Sequence, residues 1–109
     1  MKTNIKKFDL IVKKVADGLK AELGEQIIDI ILFGSRARGD FQNESDYDIL
    51  VLVTKKTKAL IEQVDDIVWE IAWEHNAVIA AFIYEKSRFE NDRFEPLFMN
   101  IQKEGVLVQ

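Results

Sequence analysis

Two aspartates, Asp46 and Asp48, open the apolar run ILVLV of residues 49–53, and an earlier apolar run, IIDIILF, ends at residue 33 in front of Gly34-Ser35. In an extended strand, residues i and i+2 point to one face, so the Asp46 and Asp48 carboxylates stand side by side, about 7 Å apart at the backbone and able to converge. Two bare carboxylates at about 5 Å repel by roughly 3 kcal/mol at an effective dielectric of about 20. A divalent cation turns that repulsion into binding. Mg2+ suits such a site because it takes a few carboxylates and completes its shell with water and phosphate oxygens.

Gly34-Ser35 supplies the complementary half. Where a strand stops at Gly and a helical turn can begin, backbone N–H groups and the Ser35 hydroxyl can face an anion, and Gly lets a phosphate approach the backbone. Arg36 and Arg38 place two guanidinium groups within reach of the same anion, and Gly39 lets the loop fold back. Asp46 and Asp48 are therefore candidate metal ligands and catalytic residues, and Gly34, Ser35, Arg36 and Arg38 candidate triphosphate contacts. The run D-x-x-N-x-S-D-x-D over residues 40–48 does not match a calcium loop, because its spacing is wrong and the loop glycine is absent.

The elements that must position these residues follow from hydrophobic period. Apolar residues at Ile5, Phe8, Ile11, Val12, Val15, Leu19 and Leu23 predict a one-faced helix over 4–23, stopped at Gly24. Residues 27–33 and 49–53 read as strands covered on both faces, Asp29 interrupting the first, with a fifteen-residue loop between them. Leu60, Ile61, Val64, Ile67, Val68, Ile71 and Ala72 predict a helix over 59–75, with Glu62, Asp65, Asp66 and Glu70 on its outer face. Residues 77–84, AVIAAFIY, read as a third buried strand, and Ser87-Arg88-Phe89-Glu90 as a capping box opening a short helix that Pro96 limits. Gly105 introduces VLV as a fourth, edge strand. Trp69 and Trp73, at i and i+4, are expected to pack or to meet a partner, His75 to make a favourable contact with the helix dipole rather than act as a base, and Phe94, Leu97, Phe98 and Met99 to join the core.

Composition narrows the function classes. The 109 residues are the size of one domain, 1–109, and 48% hydrophobic with 31% charged residues is globular composition. No apolar stretch approaches a membrane span. With no Cys and one His, thiolate and His-rich zinc sites are excluded, so a metal would sit on oxygen. A net charge of −4 argues against a sequence-independent grip on long nucleic acid, while a small phosphorylated substrate needs only local cations. The basic N-terminus MKTNIKKFDLIVKK lacks an unbroken apolar core and a small-residue cleavage site, so no signal peptide is expected and the cytoplasm is the default location.

Gly34-Ser35, ten residues, then Asp46-Tyr47-Asp48 resembles the GS-x10-DxD signature of the nucleotidyltransferase superfamily that includes DNA polymerase beta. FGSRARGDFQNESDYDILV is most similar to the minimal nucleotidyltransferases, small single domains often paired with a HEPN-domain toxin in toxin–antitoxin modules. The resemblance extends over most of the chain, to the ending IQKEGVLV. It implies an α/β (α+β) fold with a mixed sheet flanked by helices, Mg2+ on Asp46 and Asp48, and transfer of a nucleotide from a triphosphate such as ATP to a hydroxyl. In the paired systems, it implies adenylylation of a tyrosine on the toxin, which gives an antitoxin role. It also implies a third carboxylate on a later strand, yet residues 77–84 contain no acid; Val78 aligns with the missing position, and Glu74 and Glu85 flank the segment as imperfect substitutes. The other reading is a nucleotide-binding module with weak or no turnover that acts by covering a protein partner.

Overall fold

A computed structural model describes residues 10–39 and 46–108. The start of the predicted first helix, residues 4–9, and the loop residues 40–45 lie outside the described residues. The chain forms helix α1 (Leu10–Leu23), strand β1 (Ile27–Phe33), the one-turn helix α2 (Ser35–Arg38), strand β2 (Tyr47–Val53), helix α3 (Lys58–Glu74) and strand β3 (Ile79–Glu85). Helices α4 (Lys86–Asn91) and α5 (Pro96–Glu104) and the two-residue strand β4 (Val106–Leu107) follow.

The strands make one mixed sheet in the order β3-β2-β1-β4. β2 runs antiparallel to β1, and the long α3 crossover sets β3 parallel to β2. Thr57 starts α3 by accepting a hydrogen bond from the Leu60 amide at 3.1 Å.

Strand alternation explains why β1 and β2 read as nearly continuous apolar runs: both sheet faces are covered. On one face, Ile30, Leu32, Tyr47, Ile49, Val51 and Ile83 pack with Val12, Val15 and Leu19 of α1 and Leu60, Val64 and Val68 of α3. On the other, Ile31, Phe33, Leu50 and Leu52 pack with Phe89, Phe98 and Ile101 of α4 and α5. Those two short helices cover only part of the second face, and the end of β1 and start of β2 emerge beside them.

Several local expectations are corrected. Ser87 lies inside α4 rather than capping it, because β3 runs on to Glu85 and the helix starts directly after it, with Glu85 at the N-cap. Pro96 does not close that helix but occupies the first turn of a second one. Phe98 is fully buried and Leu97 packs against the same cluster, whereas Met99 is outside because α5 turns Phe98 and Ile101 to the sheet, and Phe94 (77% exposed) is outside because it lies in the turn before α5. β3 is half-buried, with only Ile83 fully covered, since it lies at the sheet edge. Among the described residues, no helix is long and apolar enough to cross a membrane.

Candidate active site

The site grows from the row of residues where β1 ends. Phe33 is the Cα partner of Asp48, and Asp48 the partner of Ala80, so these three lie side by side across the sheet. Asp48 belongs to the same face as Leu50 and Leu52, the face that α4 and α5 leave partly open.

Directly after Phe33, the backbone at Gly34 takes φ +77° and ψ −158°, a conformation essentially restricted to glycine. Its carbonyl accepts from the Ala37 and Arg38 amides, both at 3.1 Å, which winds α2, and Gly39 ends the turn in the left-handed region with φ +85°. Gly34 is needed twice over, because a Cβ there would overlap Asp48 Oδ2. The Gly-Ser turn and the second aspartate are thus packed against each other.

Burial pushes the Asp48 carboxyl above its ordinary range, the Asp46 charge pushes it the same way, and Arg38 partly offsets both. Asp46, just before β2, is exposed. A partly buried Asp48 carboxylate beside a second acidic side chain, with an arginine that only partly compensates, suits a hard divalent cation held on oxygen.

The structure separates the two arginines. Arg38 Nη1 donates to both carboxylate oxygens of Glu104, each at 3.1 Å, which ties the end of α2 to the end of α5 on the Asp48 side. The Arg36 guanidinium stacks 4.1 Å from the centroid of the Tyr47 ring, which packs in the core cluster of the opposite sheet face. Glu104 has no counterpart in the sequence reading; it lies 66 residues from Arg38, a separation at which no local pattern signals a pair.

Neither acid flanking β3 joins Asp46 and Asp48. Glu85 is opposite Val53, five residues or roughly 16 Å along β3 from the partner of Asp48, and its Oε2 accepts from the Lys56 amide. Glu74 ends α3, which packs on the other sheet face, and is exposed. Val78 continues the alternation that puts Ala80 beside Asp48, its carbonyl accepts from the Tyr47 amide at 2.9 Å, and its side chain is 60% exposed. Among the described residues, no three His, Asp or Glu side chains gather into a metal-binding group.

The sequence profile of the nucleotidyltransferase domain matches residues 12–107. The chain is 34% identical over 79 residues to a Methanocaldococcus jannaschii protein named "Putative protein adenylyltransferase MJ0141", spanning 71% of this chain and 79% of the relative. It is 31% identical over 94 residues to a second protein of that organism, "Putative protein adenylyltransferase MJ0604", spanning 86% and 90%. In fold it is similar to a crystal structure of a toxin–antitoxin with AMP-PNP, with TM-score 0.67 at 17% identity over 90% of this chain and 72% of the other. It is also similar to the toxin–antitoxin MntA-HepT, with TM-score 0.60 at 16% identity over 92% and 70%.

Proposed function

This chain belongs to the nucleotidyltransferase domain family, and from that premise we propose that it acts in the cytoplasm as a single domain that transfers AMP from ATP, with Mg2+, to a tyrosine hydroxyl of a small helical HEPN-type toxin. The observation that carries the reading is the packing of Gly34 against Asp48, with Asp46 and Arg38 close enough to act on the same carboxyl. The adenylyltransferase names of its relatives support AMP as the group transferred, and the toxin–antitoxin neighbours, one with AMP-PNP, support ATP and a toxin partner.

In this reading, Asp46 and Asp48 hold Mg2+, which when bound supplies polarisation of the phosphoryl oxygens and a lower pKa for the attacking hydroxyl. Gly34 and Ser35 cradle the triphosphate, and Arg38 brings positive charge to it while Glu104 holds the guanidinium in place. Arg36, stacked on Tyr47, brings a second guanidinium to the same turn as a further triphosphate contact. The hydroxyl oxygen forms a bond to the α-phosphorus, the bond to the β-phosphate oxygen breaks, pyrophosphate leaves, and the hydroxyl proton passes to solvent or a nearby base.

The test is transfer of label from α-labelled ATP, with Mg2+, to a HEPN-type partner from the source cell. Wild-type chain should label the partner, and Asp46→Asn with Asp48→Asn should not. Label that persists in the double variant would remove the aspartates from the chemistry, and none with wild type would remove the acceptor.

A further inference from the structure

We infer that the outer edge of β3 pairs antiparallel with the same edge of a second copy of this chain. Among the described residues, β3 is the last strand of the sheet on its side, and its seven residues, IAAFIYE, contain no Lys, Arg, Pro or Gly. Lys, Arg and Pro are among the devices by which edge strands avoid pairing with other chains, and the strand's one charge, Glu85, is its last residue and accepts from the Lys56 amide. The Val78 carbonyl accepts from the Tyr47 amide within the sheet. Strand alternation therefore turns the N–H and C=O groups of Ile79, Ala81 and Ile83 outward, an open ladder that ends at Glu85, whose carbonyl, at the N-cap of α4, takes the first bond of that helix.

The surface beside this ladder is built to meet itself. One end is apolar: Trp69 and Trp73, 66% and 74% exposed, stack on each other with centroids 5.7 Å apart, and share a groove with Val78 and Ile79. The other end, beside Ala81 to Tyr84, is lined by Lys56, Ile61 and Asp65. An antiparallel copy in full register sets Ile79 opposite Glu85 and Ala81 opposite Ile83. That two-fold arrangement lays the tryptophan end of each groove along the Lys56 and Ile61 end of the other. Each stacked indole pair then meets the Ile61 side chain of the other copy, beside Lys56 and Asp65, which gives the apolar ring faces an apolar partner. The two unlike ends make the edge self-complementary under a two-fold axis, as an isologous interface requires.

The test is sedimentation equilibrium of the full chain from low micromolar to submillimolar concentration, alongside tryptophan emission. The mass should rise from 12.6 kDa toward twice that value. Because Trp69 and Trp73 are the chain's two tryptophans, emission should shift to the red on dilution with the same midpoint. Trp73→Glu, at an exposed site, should raise the dissociation constant at least about tenfold. Ala81→Pro should do the same, since it removes an outward donor and no bond within the sheet. Should Ala81→Pro fail to fold, Trp73→Glu alone decides. A chain that stays at monomer mass throughout, or a dimer that Trp73→Glu leaves intact, overturns the inference.

Discussion

No Cβ fits between Gly34 and Asp48: built on residue 34, it would overlap Asp48 Oδ2 and lie 3.3 Å from Asp48 Cγ. The same glycine holds φ +77°, which side chains rarely tolerate. Gly34→Ala should therefore lower stability by about 1–3 kcal/mol, the scale of one strained residue, and move the Asp48 carboxylate. Thermal melts and nucleotidyl transfer check this. Part of the stability should return in a Gly34→Ala, Asp48→Ala double variant, where the overlap is gone and the strained φ remains.

The raised Asp48 pKa has a definite sign. A carboxyl whose folded-state pKa exceeds its unfolded value of 3.8 binds its proton more tightly when folded, so its ionisation destabilises the fold as pH rises from below 3.8 through the folded-state value. Without divalent cation, Asp48→Asn should melt above wild type at neutral pH, and the gap should close as pH falls below the unfolded value. A gap unchanged at acid pH would show that the asparagine acts through packing.

On the proposed phosphate reading, Ser35→Ala should weaken ATP binding in the presence of Mg2+ by about 1–2 kcal/mol, one hydrogen bond to a charged group. Asp46→Asn with Asp48→Asn should abolish Mg2+-dependent stabilisation by ATP while the fold persists. Calorimetry and thermal shift separate the two effects, and full Mg2+-dependent binding in the double variant would refute the metal assignment.

Val78 is open to solvent on the alternation that includes Ala80 and Asp48, so Val78→Asp places a third carboxylate near the pair without burying a charge in the core. Stability in EDTA should change by less than about 1 kcal/mol, as at other exposed sites. Mg2+ should stabilise this variant more than wild type, and transfer should rise. Equal Mg2+ effects in the two proteins would show that residue 78 is not a ligand position.

Glu104→Gln frees Arg38 from an ion pair whose partners are both partly exposed, so stability should fall by no more than about 1 kcal/mol. If Glu104 holds Arg38 for the triphosphate, ATP should bind up to about fivefold more weakly, the equivalent of that energy. Unchanged ATP affinity in titration calorimetry would make the pair structural only.

Periodicity and spacing in the sequence determined the elements and the candidate pair. The apolar period of 59–75 marks α3 to within a residue of Lys58–Glu74, and the runs at 27–33 and 49–53 mark the central strands. The GS and DxD residues lie in one linear stretch, so their association needed no knowledge of the fold. Only the tertiary structure decided what covers each face and which chain segment meets which. It turned Arg36 onto Tyr47 and Arg38 onto Glu104, left Phe94, Trp69 and Trp73 outside, and put β3 at an edge. A local period says which residues share a face, whereas the partner of that face is set by contacts between residues far apart in the chain, such as Arg38 and Glu104, whose pairing depends on how α2 and α5 come to rest on the same sheet.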